Sequence, residues 1–332
     1  MIVTDSGWQW ATTVGGVFCL ATTFAVAGPL VQERVARDSK WVLHLDGESF
    51  LKTQVGQYVA DNMIEKEFGS FNLELKKNFG TEIAWRNAKS ITAYGFEFKP
   101  NGQPNGVVIV EGEIGLTETL EKVWKKQQDQ SIATTADLEV VDEGGNRTYI
   151  WKRDQYGTVV GKNLFALART KEELARAKAV FTGKEPSLAK PATLKDASVQ
   201  PVLEVLTPQG LDGAMLSGPA ALLKRCNDGH LILGEKRDDV CLNVQLSASN
   251  TNVANQIRQV VQGIISLGVL GGDGDPNLQK LATSASVGGN ENNISLKLQL
   301  PSKDVIKQLS EDTTEKKVKK QKKEKKEKKE QT

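Results

Sequence analysis

The sequence predicts an α+β protein made of two similar units of largely antiparallel sheet packed with helices, preceded by an export segment and followed by a disordered tail. Short stretches in which apolar and polar residues alternate, typical of strands, are interspersed with longer stretches of helical periodicity. The order strand, helix, two strands, helix occurs twice. The 332 residues, 39% hydrophobic and 25% charged, are enough for about two domains with a sizeable core.

The first unit is predicted at 40–182 and opens with a strand at 41–46, whose last residue, Asp46, suits a helix N-cap. The helix that follows carries an apolar stripe that ends at Met63. Strands are expected next at 91–98 and 106–114, and the second is apolar on both faces, which is typical of a central strand. The remaining predicted elements are a helix from Leu116, short strands near Leu138, Tyr149, Val159 and Phe165, and a helix over 171–181.

A stretch rich in Pro, Lys and Ser at 183–198 is predicted to be a linker, and a second α+β unit is predicted at 199–310. This unit opens with a strand and a short helix, followed by two strands that a charged turn joins. These four elements are expected at 202–206, 220–224, 231–233 and 240–246.

The strongest amphipathic helix of the chain is predicted at 253–265, with Asn250 or Asn252 as its N-cap. The stretch 294–300 alternates apolar and polar residues, as a half-buried antiparallel strand does. Ser302 then suits the start of a last helix. These elements complete the second unit.

Segment 1–27 is predicted to be a signal peptide. Its stretch 14–24 is an apolar core of suitable length, and an Ala-Val-Ala pattern ending at Ala27 is one that signal peptidase cleaves. Asp5 stands where a basic residue is expected, so an uncleaved membrane anchor over 11–31 and an ordinary buried helix stay open as alternatives. Cleavage implies a periplasmic or secreted protein, whereas an anchor would hold its N-terminus at a membrane.

Three stretches of the chain, "WVLHLDGESF", "ITAYGFEF" and "GVVIVEGEIGLTETLEKVW", resemble secreted proteins of unknown activity from planctomycete-type bacteria. The resemblance extends over most of residues 40–310 and consists of junctions between strands and helices. It implies an exported α+β protein. It carries no known catalytic residues that could be assigned to this chain.

The chain has two histidines, and they are predicted to lie on different units. His44 shares a strand face with Asp46, which is the spacing of a base and its orienting carboxylate. Neither His44 nor His230 belongs to a recognised catalytic motif, so both are interpreted as ordinary strand residues. No catalytic residue and no cofactor is therefore assigned, and a non-enzymatic role is favoured.

The loop "GGDGDPN" places Asp273, Asp275 and Asn277 at alternating positions, like the first ligands of a calcium loop. Leu278 and Ser284 stand where such a loop needs glycine and glutamate, so the three residues are weak metal candidates. Gly, Asp, Pro and Asn are also the usual residues of turns. A turn between helices is the favoured interpretation.

Cleavage after Ala27 would leave two cysteines, Cys226 and Cys241, an even number that suits an oxidising compartment. Two outcomes are open: a disulfide between them, or two reduced thiols, because geometry alone can forbid the bond. Cys241 is out of phase with the apolar residues of its predicted strand. As a free thiol it is therefore expected to be exposed.

The tail 311–332 is low in complexity and is predicted to be disordered. It contains ten lysines and six acidic residues, so the formal net charge of +2 leaves the body at about −2. A body of that charge argues against sequence-specific binding of nucleic acid. The tail could serve only solubility, or its lysines could bind an anionic surface. These candidate lysines are Lys316, Lys317, Lys319, Lys320, Lys322, Lys323, Lys325, Lys326, Lys328 and Lys329.

The function favoured by these observations is that of an exported, non-enzymatic binding or envelope-associated protein whose partner is a protein or an apolar ligand. Two other classes stay open. One is a hydrolase with an unrecognised carboxylate site among the 41 acidic residues. The other is a polyanion binder that acts through the lysine-rich tail.

Overall fold

A single sheet of twelve strands runs through the molecule, and every neighbouring pair of strands is antiparallel. Helices pack on both of its faces. The α+β class with a largely antiparallel sheet is thereby confirmed. The computed structural model describes residues 28–98, 105–129, 138–143, 146–151, 154–161, 163–188, 199–270 and 276–311.

The strands differ in length from four to eleven residues. In chain order, β1 to β12 are Trp41–Asp46, Ala88–Gly95, Val107–Gly112, Leu138–Glu143, Asn146–Trp151, Gln155–Val160, Leu164–Ala168, Gln200–Thr207, Cys226–Lys236, Asp239–Ala248, Ala285–Gly288 and Asn293–Pro301. Across the sheet they lie in the order β11-β12-β10-β9-β8-β1-β2-β3-β7-β6-β5-β4.

The helices connect or follow these strands. In chain order, α1 to α8 are Gly47–Lys52, Gln54–Val59, Glu65–Phe79, Leu116–Asp129, Lys171–Phe181, Thr251–Leu270, Pro276–Ser284 and 302–311. A π-helical turn, Ala60–Ile64, joins α2 to α3, and 3-10 helices lie at Gln32–Arg34 and Gly218–Arg225.

Local side chains set several helix ends. The side chain of Asp46 accepts a hydrogen bond from the Ser49 N–H at 3.0 Å and so caps α1, as the sequence predicts. Asn250 caps α6 in the same way, through the Val253 N–H at 3.0 Å. Gly80 ends α3 with a left-handed φ of 63°, a conformation that favours glycine.

The two predicted units join in one continuous sheet through β1 and β8, which pair from Val42 and Leu206 to Leu45 and Leu203. From this junction, β1, β2 and β3 extend to one side, and β8, β9 and β10 extend to the other. In each of these two sets of three strands, a helical segment lies between the first and second strands and an α-helix follows the third strand. The repeated order of elements is therefore present in the structure.

Alternation along β1 defines two faces of the sheet. Val42 and His44 lie on one, called here the His44 face, and Leu43 and Leu45 lie on the other, called the Leu43 face. Helix α5 and the segment 30–36 cover a core on the His44 face, whereas α1 to α4 and α6 pack on the Leu43 face. The core of the His44 face consists of Val35, Ala36, Val42, Tyr94, Val107, Ile109, Ala166, Ala168, Leu174, Ala177, Val180, Leu188 and Leu206.

Some elements differ from the sequence prediction. Strand β2, predicted at 91–98, runs from Ala88 to Gly95. Helices α3 and α7 and strand β11 were not predicted. Helix α3 carries Phe68, Phe71, Leu75 and Phe79 at helical spacing, a pattern that the sequence prediction overlooked. The turn predicted at 271–277 lies outside the described residues as far as Asp275, and α7 begins at Pro276.

Of the two outcomes left open for the cysteines, the structure has two separate thiols, since Cys226 and Cys241 are both free and buried. The pairing of β9 with β10 places Cys226 opposite Ala248 and Cys241 opposite Gly234. The stretch of β10 from Cys241 to Ala248 spans about 23 Å at about 3.3 Å per residue, and a disulfide needs Cα atoms within about 7 Å. The prediction that Cys241 is exposed is wrong, since this residue is only 6% exposed.

We expect the folded protein to shield both thiols and the unfolded protein to expose both without a reductant. Burial raises the pKa of the Cys226 thiol, which lowers the fraction of reactive thiolate. Alkylation in native buffer and in denaturant, followed by mass spectrometry of the labelled peptides, measures each cysteine separately. Cys241→Ser is the control, and it should leave the labelling of Cys226 unchanged. If neither Cys226 nor Cys241 is labelled in denatured, unreduced protein, the two residues form a disulfide and this expectation is wrong.

Candidate functional site

The junction between β1 and β8 brings together the two histidines that the sequence analysis placed apart. His44 lies opposite Thr92 of β2 on one side and opposite Glu204 of β8 on the other. His230 of β9 reaches the same carboxylate, with its Nε2 3.1 Å from Glu204 Oε2. These four residues share the His44 face and are called the polar row.

Both ring nitrogens of His44 are hydrogen-bonded, and the residue is 2% exposed. Nε2 lies 2.9 Å from the carbonyl oxygen of Gly28, and Nδ1 lies 2.9 Å from Thr92 Oγ1. A carbonyl oxygen only accepts, so Nε2 carries the proton and Nδ1 accepts from the Thr92 hydroxyl. Burial lowers the pKa of His44, in agreement with a neutral ring.

Glu204 and His230 form a partly buried pair, with side chains 16% and 13% exposed. The carboxylate accepts from His230 Nε2, and burial raises the pKa of Asp228, which precedes His230 on the same face of β9. A general base needs an open atom within reach of its substrate. Because His44 has a partner at each nitrogen, it ties β1 to β2 and to the segment at Gly28, while Glu204 and His230 tie β8 to β9.

The Leu43 face presents a different surface, a row of aliphatic side chains that crosses five neighbouring strands. All members of this row are partly exposed. They are Leu43, Val205, Leu231, Val244 and Leu296. A second partly exposed row lies two residues along the strands and consists of Leu203, Leu233, Leu242 and Leu298. The two rows together are called the aliphatic floor.

Helices flank the strands that carry the aliphatic floor. Helix α1 contacts β1 and β8, and α6 contacts β10, β11 and β12. The inner side of α6 is buried at Val253 and Ile257, but its later turns expose Ile264 and Leu267 to 58% and 70%. Large apolar side chains so exposed are candidates for contact with another molecule.

A polar cleft of about 230 Å³ lies at the border of the aliphatic floor and is lined in part by Lys52, Glu235 and Arg237. Glu235 follows Leu233 on the same face of β9. Its carboxylate accepts from the Gln54 N–H at 2.5 Å and from the Ser302 hydroxyl, at the starts of α2 and α8. The cleft therefore gives the floor a polar rim whose acidic group is engaged in helix packing.

The alternation of apolar residues in several of these strands is visible in the sequence, but the aliphatic floor is not. Alternation shows that a strand has an apolar face. It does not show which strands are neighbours, nor whether a helix covers that face. A candidate signal was the leucine alternation at 294–300, which places Leu296 and Leu298 on one face.

Other predicted site residues lie partly outside the described residues. Asp273, Asp275, the tail lysines and the export segment 1–27 are outside, and Asn277 lies in the first turn of α7. Within the described ranges, no three His, Cys, Asp or Glu side chains come together as a metal-binding group. None of the helices in those ranges combines the length and the hydropathy needed to cross a bilayer.

The free energy of unfolding is expected to decrease as the pH falls below 6.5, because burial lowers the pKa of His44 from the value of 6.5 that applies when it is unperturbed. A base whose pKa is lower in the folded protein than in the unfolded protein stabilises the fold at pH values above its pKa in the unfolded protein. This contribution is lost as the pH falls through its pKa in the folded protein. Urea unfolding of the wild type and of His44→Gln at about pH 7.5 and about pH 5.5 measures this effect.

In His44→Gln, the glutamine amide can still donate to the Gly28 carbonyl, but the side chain does not titrate. The loss of stability between the two pH values should therefore be smaller in this variant than in the wild type. An equal loss in both proteins would show that other groups cause the pH dependence.

No protein-family model and no curated protein sequence matches this chain. Its structure is similar to solved structures of the Treponema protein TP0453. Crystal form III matches with a TM-score of 0.48 and 8% identity, over 86% of this chain and 99% of that one. Crystal form IV gives 0.48 and 8%, over 84% and 96%. Crystal form I gives 0.46 and 7%, over 86% and 98%.

Proposed function

We propose that the chain is an exported, non-enzymatic binding protein that holds an apolar ligand on the aliphatic floor. One observation carries this proposal: five aliphatic side chains on five adjacent strands, from β12 to β1, form a continuous, partly exposed row. Apolar surface in such a position would normally be buried by a helix. Binding of an apolar molecule would remove this surface from water, and the free energy gained is about 25 cal/mol per Å² of buried apolar area.

The chemistry of the floor favours a hydrocarbon chain over a peptide. Its nine side chains have no hydrogen-bonding group, and the backbone of the central strands is already paired on both edges. An extended peptide would leave its own N–H and C=O groups unsatisfied there, whereas a hydrocarbon chain has none to satisfy. Five strands at about 4.8 Å spacing give a row about 19 Å long, which suits an extended chain molecule.

Export is the second part of the proposal, and the sequence of segment 1–27 supports it. The apolar stretch at 14–24 and the small residues before Gly28 fit a signal peptide that is cleaved after Ala27. The mature protein would then be periplasmic or secreted. The alternative is a protein held at a membrane by an uncleaved N-terminal anchor.

Val244→Asn is expected to weaken binding of a fluorescent long-chain fatty acid analogue about tenfold, because an unpaired amide in apolar contact costs about 1–3 kcal/mol. Gln245→Asn is the matched control, since Gln245 is the next residue of β10 and is exposed on the opposite face. Fluorescence titration of the wild type and both variants measures the two affinities.

Two outcomes would contradict this function. If the wild type does not bind the probe, the aliphatic floor does not hold a hydrocarbon chain, and a protein partner becomes the better explanation of the exposed surface. If Val244→Asn and Gln245→Asn bind the probe equally well, the ligand lies elsewhere on the molecule. Circular dichroism of both variants establishes that each is folded before it is titrated.

A further inference from the structure

The segment that precedes β1 is held in the fold from Gly28 onward. The carbonyl oxygen of Gly28 accepts from His44 Nε2 at 2.9 Å, and Leu30 packs against the core of the His44 face. Val35 and Ser39 are both 0% exposed. Gly28 follows Ala27, the residue after which the sequence predicts cleavage. A buried imidazole thus binds the backbone of the residue that cleavage would make the new N-terminus.

The surroundings of His44 are acidic. Three carboxylates from different strands act on its ring electrostatically: Glu204 of β8, Asp46 at the end of β1 and Glu111 of β3. Among the described side chains that pair with these carboxylates, Arg34 lies 2.5 Å from Glu111, and His230 bonds to Glu204 as a group that is cationic only when protonated. The site therefore has an excess of negative charge around a neutral ring.

We propose that the polar row, with Asp46, is a binding site for the α-ammonium group of Gly28, which forms when the export segment is removed. Hydrolysis of the bond between Ala27 and Gly28 adds the hydroxyl of water to the Ala27 carbonyl carbon and a proton to the Gly28 nitrogen. The new amine takes up a second proton below its pKa of about 8. The inference rests on the proposed cleavage and adds a stabilising consequence to it.

The geometry at Gly28 suits this role. Its nitrogen is separated from the carbonyl oxygen that His44 binds by only two atoms, so the ammonium group forms within one residue of the acidic site. The space beside the Gly28 Cα is open, since no atom lies within 4 Å of the position that a Cβ would occupy. In the uncleaved chain the same nitrogen is an amide without charge, so it lacks the charge attraction to the carboxylates.

The pH dependence has a definite sign. Nearby carboxylates raise the pKa of an amine in the folded protein. The stabilisation by the ammonium group is therefore complete below the pKa of about 8 that the amine has in the unfolded protein, and it is lost as the pH rises through the higher pKa in the folded protein. This direction is opposite to that expected for His44. The two effects are therefore separable by titration over different pH ranges.

The first experiment uses the full chain expressed with residues 1–27 in an exporting bacterium, with N-terminal sequencing of the mature protein. Gly28 is the expected first residue. Another first residue would overturn the proposed cleavage and, with it, the ammonium site. This result would leave binding of the fatty acid analogue to the aliphatic floor unaffected, so the failures of the two proposals are distinguishable.

The second experiment compares the melting temperatures of three chains that end at Thr332. One begins at Gly28 with a free amine, one begins at Gly28 with an acetylated amine, and one begins at Val26, which displaces the amine by two residues. At about pH 6.5 the free Gly28 chain should melt about 2 °C above the other two, and at about pH 10 the difference should vanish. Equal melting temperatures at about pH 6.5 would overturn the ammonium site even if cleavage at Gly28 is found.

Variants test which carboxylate is responsible. In Glu204→Gln, the difference between the free and the acetylated Gly28 chains should be at least halved at about pH 6.5. Glu139→Gln on β4, an exposed position in the outermost strand, is the matched control and should leave the difference unchanged. Because each comparison is made within one variant, a general loss of stability in Glu204→Gln does not affect it. An undiminished difference in Glu204→Gln would contradict the assignment of this residue.

Discussion

Strand β1 has both edges paired, with β2 and with β8, and its two faces meet opposite requirements. His44 must reach Thr92, Glu204 and the carbonyl of Gly28, while Leu43 must join the aliphatic floor. A shift of the pairing by one residue would exchange these side chains, placing an imidazole among leucines and a leucine against a carboxylate. Such a shift buries polar groups without partners, so β1 fixes its register with both β2 and β8.

Local features of the fold were predictable wherever a few neighbouring residues determine them. Asp46 and Asn250 were identified as caps because a short polar side chain before an apolar helical stripe has a direct structural meaning. The limits of β1 and α5 agree with the prediction for similar reasons. Helix α3 was missed although Phe68, Phe71, Leu75 and Phe79 have helical spacing, whereas β11 was missed because four residues, Ala-Ser-Val-Gly, form too short a pattern.

The candidate sites depend on pairing between distant strands, which no local pattern specifies. Glu204 and His44 meet only because β8 lies beside β1, and the partly exposed leucines form one surface only because five strands are in register. Cys226 and Cys241 show the opposite error. They are close in sequence, yet β9 and β10 hold them at opposite ends of a hairpin. Residues far apart in the sequence can thus meet in the fold, and residues close in the sequence can be held far apart.

The pairing of Val42 with Leu206 also has a consequence for the order of events during synthesis. About half of the chain lies between these residues, so β1 emerges from the ribosome long before the strand that completes its outer edge. Closing so long a loop is slow, and folding of non-local sheets is slow for the same reason. A chain that cannot finish its central sheet early stays extended for longer. If the chain is exported as proposed above, this delay would help to keep it unfolded until it reaches a translocation channel.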